Sequence, residues 1–297
     1  MQLKYSVLIC TFNGAPYIQE QLRSILNQTP QPEEIIISDD GSTDQTLSLC
    51  EQEFAQFDFE NFRMVEGPKK GTAANFLTSI HLNHSEYLFL ADQDDIWHSE
   101  KVAEYAKVIA SRSEKGPLLI CSDASVVDSE GNEIHPSFFE YQGLSIKVLE
   151  DDSIFFKNIV QGATVCINKE MIGLVGRFFG EEYLGDIVMH DWWMALVARY
   201  CASFKFIDKP LLRYRQHENN QIGAQSKLGF KGRIFLGFRR KARSFFSQLN
   251  QMKRFLIFIR EAGCLNDGVL KRFEFAECTR AKSILVKTVF WLRNGSI

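Results

Sequence analysis

An α/β fold, with a mostly parallel sheet flanked by helices and a helical extension at the C-terminus, is what this sequence predicts. Short apolar runs of strand length alternate with segments of helical period over the first 110 residues, the pattern of strands joined by right-handed crossover helices. Several of those runs end in polar side chains. Parallel sheets bind ligands beyond the carboxyl ends of their strands, so the pattern also predicts one cleft.

The elements follow in order. Tyr5 to Cys10 is a β-type run stopped by Thr11-Phe12-Asn13-Gly14, and the next helix carries Pro16 in its first turn with Ile18, Leu22, Ile25 and Leu26 at helical spacing. Ile35 to Ser38 is a second buried strand ending in Asp39-Asp40-Gly41-Ser42. Ser42 and Gln45 have capping-box spacing, which starts a second helix there with Leu47, Leu49 and Phe54. Phe62 to Val65 is a weaker third strand, Gly71 to His81 a third helix, and Tyr87 to Ala91 a fourth strand; Val102, Tyr105, Ala106 and Ile109 mark the helix after it. Leu118 to Ser122 is a fifth strand. From Val126 to Asn158 the pattern turns irregular, with a turn at Gly131-Asn132 and a Phe138-Phe139 pair; Val160 to Ile167 reads as strand and Lys169 to Phe178 as helix. Phe204 to Ile207 and Leu211 to Arg215 read as two short strands separated by Lys209-Pro210.

The fourth strand runs into Asp92-Gln93-Asp94-Asp95. Residues two apart in an extended chain point to one side, so Asp92 and Asp94 would aim together as a hard-cation site suited to Mg²⁺ or Mn²⁺, or the acidic run caps the next helix. No G-x-G-x-x-G turn or Walker loop is present, so a phosphate-bearing ligand would be held through a metal. Thr11, Asn13, Asp39, Asp40, Asp92 and Asp94 gather at three strand ends. In His190-Asp191-Trp192-Trp193, Asp191 falls opposite the stripe Met189, Trp193, Leu196, Val197 and Tyr200, beside Ala195 and Ala198. It is either a carboxylate at a helix N-terminus or a general base that small neighbours leave open to substrate. His217 lies in a polar loop and, within the cleft, would be a third ligand beside the carboxylates.

Composition bounds the rest. With 45% hydrophobic residues in 297 the chain is globular, and its opening reads as a strand rather than a leader. No uncharged apolar run approaches the roughly 20 residues of a membrane span. Seven scattered cysteines without a CxxC pair argue against zinc and for reduced thiols in the cytoplasm. The net charge of −3 divides sharply: residues 227–260 hold ten Lys and Arg and no acid, whereas residues 1–226 carry −15. Phe245, Leu249, Met252, Leu256 and Ile259 form one stripe of a basic amphipathic helix, with Arg243, Lys253, Arg254 and Arg260 off it. It suits an anionic membrane face or packing on the body or another subunit; the acidic body argues against nucleic acid. Ile284, Leu285, Val289 and Trp291 mark a last helix able to fold back.

Together the SVLICTFNG opening, IISDDGSTD, the Gly71 to Asn75 segment, DQDDIW, HDWW and YRQH resemble a family 2 glycosyltransferase of the GT-A fold, with a Rossmann-like sheet, over roughly residues 4–220; DQDDIW and YRQH are reminiscent of bacterial rhamnosyltransferase-like members. The resemblance implies a transferase domain over 1–220 and a basic helical region over 221–297. It implies that Thr11 and Asp40, or its neighbour Asp39, hold the nucleotide base, that Asp92 holds the ribose, that Asp94 binds Mg²⁺ or Mn²⁺ at the diphosphate, and that Asp191 is the base of an inverting transfer. Asn13, Asn75 and Gln93 fall in the same donor site, His217 beside the metal, and Asp95, His190 and Trp192 in acceptor or auxiliary positions. Many relatives have Glu-Asp where this chain has His190-Asp191, so His190 either tunes the base, contacts the acceptor or only packs. The resemblance implies a nucleotide-diphosphate sugar donor (deoxythymidine-diphosphate rhamnose or a uridine-diphosphate hexose) and a saccharide acceptor, lipid-linked, in surface polysaccharide assembly at the inner membrane face. A sugar-1-phosphate nucleotidyltransferase and a non-catalytic membrane-docked scaffold are the alternatives; the former lacks its glycine-rich pyrophosphate loop.

Overall fold

The computed structural model describes residues 3–149, 152–176, 184–217 and 234–264. A nine-stranded sheet runs β3 (Phe62–Glu66), β2 (Glu34–Asp39), β1 (Tyr5–Thr11), β4 (Tyr87–Asp92), β8 (Cys166–Asn168), β6 (Leu118–Val127), β9 (Ser203–Arg215) and β5 (Ile96–Trp97), with β7 (Glu133–His135) on β6. The β3-β2-β1-β4 half is parallel, as is β6 with β9; β8 pairs antiparallel with both β4 and β6. From β1 the chain moves outward through β2 and β3, then returns to β4 on the other side of β1. The carboxyl ends of β1 and β4 therefore flank a switch point, where open α/β sheets form their crevice.

Strand alternation divides the core. Tyr5, Val7, Ile9, Ile35, Ile37, Phe89 and Ala91 face α1 (Ile18–Leu26), α2 (Thr46–Gln56) and α4 (Lys101–Ala110). Leu8, Cys10, Ile36, Leu88 and Leu90 face the other layer, with α3 (Thr72–Ser79), α6 (Lys169–Gly176), α7 (His190–Cys201) and α8 (Ile234–Glu261). A short α5 (Phe138–Gln142) packs beside β6.

Several expectations need correction. Pro16 lies in a turn before α1 rather than in its first helical turn. The second helix starts at Thr46, because the Ser42 hydroxyl donates to Asp39 and accepts from Asn13 N, while Asp44 accepts from Thr46 N at 3.0 Å. Residues 160–165 do not extend as strand: Gly162–Thr164 is a 3-10 turn whose Ala163 carbonyl accepts from Lys101 Nζ at 2.7 Å. β6 runs past Ser122 to Val127, and the irregular region after it holds β7, α5 and the 3-10 turns Ile146–Leu149 and Asp152–Phe155. The last two strands are one, β9, kept continuous past Pro210 by a register shift where Asp123 meets it, so the missing N–H interrupts no regular ladder.

The helical extension packs on the body. Met252, Phe255, Phe258 and Ile259 of α8 are buried, with Phe255 and Phe258 edge-on to Trp193 and Phe255 against Phe155. Each such burial stabilises by about 1.5–3 kcal/mol, and the partly buried Arg254 to Asp186 ion pair adds to the seam at 2.6 Å. The apolar stripe from Met252 to Ile259 is thus committed to the protein core and is not a membrane face. The side chains of Phe245 and Leu249, and the last helix at Ile284 to Trp291, lie outside the described residues. Among the described residues no helix is long and apolar enough to cross a membrane.

Candidate active site

The β1 and β2 ends are tied to each other before any ligand is considered. Asp39, 7% exposed, accepts from Thr11 Oγ1 (2.7 Å), Ser42 Oγ (2.6 Å), Ser42 N (2.8 Å) and Gly41 N (3.1 Å). Four donors fill a carboxylate's lone pairs, so Asp39 and the buried Thr11 frame the cleft and do not read a base. Asp40 is half-buried and accepts from Lys69 N (2.6 Å) and Gly71 N (2.8 Å), which holds the 67–71 loop. Asn75 is also framework: it is buried, its Nδ2 donates to Ser38 O and its Oδ1 accepts from Ser38 Oγ at 2.6 Å. Exposed Asn13 takes a left-handed φ of 49°, stabilised by its own Oδ1 accepting from Thr43 N.

Gln93 forms a two-bond clip, accepting from Phe12 N at 2.9 Å and donating to Phe12 O at 3.1 Å. A Cβ on Gly14 would lie 2.2 Å from its Oε1, so the clip requires glycine there. Gln93 is therefore held as part of the framework at the end of β1. Its effect is to fix Phe12 just past the end of β1, where the residue is 57% exposed.

Asp92 ends β4, whereas Asp94 stands on the turn after it, so the two do not share a strand face. They converge all the same. Burial, then the charges of Asp94 and Asp191, push Asp92 up to about 8. Asp94 Oδ2 lies 2.7 Å from His217 Nε2. Asp95 accepts at Oδ1 from Arg215 N at 2.9 Å, its Oδ2 has no hydrogen-bond partner among the described residues, and at 1% exposure it is closed to an acceptor. Fully buried Lys101 lies 4.1 Å above the Trp97 ring and contributes a positive charge towards Asp95 and Asp92, while burial lowers it to about 7.

Asp191, in the first turn of α7, accepts from Trp192 N at 2.6 Å and is further bonded by Gly162 N and the Asn158 side chain. Burial outweighs those bonds and raises it to about 7, within the working range of a general base. The supposed open alanine face is wrong, because His190 to Ala198 are buried all round the helix and Ala195 and Ala198 belong to the core. Trp192 is core too, donating to Ile154 O at 2.6 Å. His190 stacks on Phe76 at 4.1 Å, with both ring nitrogens enclosed and burial lowering it to about 3, so it packs as a neutral ring and does not meet an acceptor.

Among the described residues no three His, Cys, Asp or Glu side chains converge tightly enough to hold a metal alone. The cluster nevertheless fits a divalent cation chemically: Asp94 and His217 pair an oxygen and a nitrogen donor, and the charges of Asp94 and Asp191 still raise Asp92 against the opposing charge of Lys101. Phe12, Arg215 and Lys101 escaped prediction as site residues. The one local signal was an aromatic at a strand end; Lys101 and Arg215 sit among polar neighbours in the sequence, and only the fold buries them.

Residues 6–156 match the family model for glycosyl transferase family 2. A dTDP-rhamnosyl transferase, RfbG, of Shigella flexneri is 31% identical over 232 residues, 76% of each chain. The fold is similar to that of S. aureus TarS 1-349 in complex with UDP-GlcNAc (TM-score 0.56, 20% identity, 73% of this chain), although this chain spans only 60% of that one. It is also similar to the mannosyltransferase PcManGT of Pyrobaculum calidifontis in complex with GDP-Man and Mn²⁺ (TM-score 0.55, 19% identity, 98% of this chain and 81% of that one). With half its length in the family model and that relative across three quarters of it, the chain belongs to glycosyl transferase family 2.

Proposed function

We propose that this chain is an inverting, metal-dependent glycosyltransferase that moves a sugar, rhamnose from deoxythymidine diphosphate first and a hexose from uridine diphosphate second, to a saccharide acceptor. The observation that carries the reading is the meeting of Asp92 and Asp94, from the switch point, with Asp191, from the first turn of α7. In this reading residues 1–220 form the transferase domain. Phe12 stacks on the nucleotide base, Asp40 accepts from the base edge, and Asp92 binds the ribose with Asn13 near by. Asp94 and His217 hold Mg²⁺ or Mn²⁺, which when bound stabilises the negative charge of the departing diphosphate.

Asp191 takes the proton of the acceptor hydroxyl while that oxygen bonds to the anomeric carbon. The bond from that carbon to the diphosphate breaks and its electron pair leaves with the phosphate, so attack from the far face inverts the centre. The basic stretch 227–243, with seven Lys and Arg, supports a lipid-linked acceptor at an anionic cytoplasmic membrane face, in surface polysaccharide assembly.

The test is a melting-temperature panel of nucleotide-diphosphate sugars with and without Mn²⁺, followed by product analysis. One donor should stabilise the protein only with metal and release free nucleoside diphosphate; no stabilisation by any donor rejects the site, and pyrophosphate release would point to nucleotidyl transfer instead. Phe12→Ala should raise the donor KM roughly tenfold or more, since base stacking contributes about 1–3 kcal/mol. An unchanged KM would remove Phe12 from the donor site.

A further inference from the structure

Among the described residues Arg215 is the largest of the fully buried side chains, at 2% exposure, and no part of the proposed chemistry uses it. Its donors reach three separate segments: Nε to Asp94 O at 2.8 Å, NH1 to Ser129 O at 2.8 Å, and NH2 to Glu20 of α1. Its own backbone N–H donates to Asp95. The guanidinium lies 5.0 Å from the centre of the Tyr17 ring, and that ring stacks on His217 at 4.8 Å. One cation thus touches the backbone of Asp94 directly and the ring of His217 through Tyr17. These two residues come from places 123 positions apart in the chain and meet at 2.7 Å.

We propose that Arg215 is the positioning residue of the Asp94 and His217 pair. The inference rests on the reading of that pair as the cation site. Asp94 stands on a turn, where no ladder fixes its backbone, and His217 is two residues past the end of β9. Arg215 substitutes for the missing ladder by clamping the turn at its carbonyl, and through Tyr17 it sets the plane of the imidazole. Glu20 balances the charge that this burial would otherwise leave unpaired. A lysine keeps the charge but carries its donors on a single nitrogen, so it cannot reach the three acceptors that three separate nitrogens of Arg215 reach.

The experiment measures Mn²⁺ binding by electron paramagnetic resonance, in the presence of deoxythymidine diphosphate, for wild type, Asp94→Ala, Arg215→Lys and Tyr17→Leu, with a melting temperature for each. Loss of an outer partner of a metal ligand lowers affinity by about 10–100-fold, and that drop is expected for Arg215→Lys, with a smaller one for Tyr17→Leu at near-wild-type melting temperature. If Arg215→Lys does not fold, Tyr17→Leu decides: a folded variant with wild-type Mn²⁺ affinity overturns the proposal. Wild-type affinity in folded Arg215→Lys overturns it too, while loss of binding in Asp94→Ala keeps the site itself intact. Absence of Mn²⁺ binding by wild type overturns the site reading and the proposal together.

Discussion

Asp191→Asn is expected to lower kcat by about 10²–10⁴-fold, the contribution of a positioned general base, with the donor KM within a few-fold of wild type. Asparagine keeps the size of the side chain, and its Oδ1 still accepts from the backbone N–H of Trp192, so the start of α7 should persist. What disappears is the ability to take a proton. The wild-type kcat should fall about tenfold per pH unit below about 7 and level off above it, because burial holds the Asp191 carboxyl protonated to about that pH. Stability should move the other way. A carboxyl whose folded pKa lies above its unfolded value binds more protons in the folded state between roughly pH 4 and 7, so it destabilises the fold progressively as pH rises through that window. The melting temperature of Asp191→Asn, relative to wild type, should therefore be higher at pH 8 than at pH 4.5. An equal difference at both pH values would show that burial does not hold the proton on Asp191, and a wild-type kcat in the variant would remove it as the base.

The parallel half of the sheet was legible because its information is local. β1, β2 and β4 are apolar runs buried on both faces, and the polar residues that end them mark the crevice wherever the flanking helices settle. The misreadings share one cause, a distant partner that outcompetes a local preference. Ser42 has the spacing to cap α2, but Asp39 and Asn13 claim its hydroxyl. Residues 160–165 have strand composition, yet Lys101 and Tyr105 take the carbonyls of Ala163 and Thr164. Asp191 was found on the correct helix for a partly wrong reason, since periodicity assumes one wet face and α7 has none in its first turns. Arg215 was visible only as a letter in a motif: its partners Glu20, Asp94 and Ser129 lie 86 to 195 residues away, and no spacing rule brings them together.

Asp94→Ala is expected to abolish the metal-dependent part of donor stabilisation and to reduce turnover by at least two orders of magnitude at any Mn²⁺ concentration that the wild type needs for saturation. A ligand at 100 times its Kd stabilises the native state by about 2.7 kcal/mol. For a domain of about 200 residues that corresponds to a melting-temperature rise of roughly 5–10 °C, well above measurement error. The alanine variant should show none of the increment that Mn²⁺ adds, while keeping any weak metal-free response carried by Phe12 and Asp40, whose positions are fixed by Gln93 and the 67–71 loop. The unliganded variant should unfold close to wild type or slightly above it. Asp94 is one of the charges that raise Asp92, so its removal relieves a repulsion as it deletes the contact with His217. Loss of the metal increment without loss of the fold is the result that distinguishes a cation ligand from a structural acid. A variant that retained the increment would leave His217 and Asp92 to hold the cation, and Asp94 would then be an acid whose main contact is its imidazole neighbour.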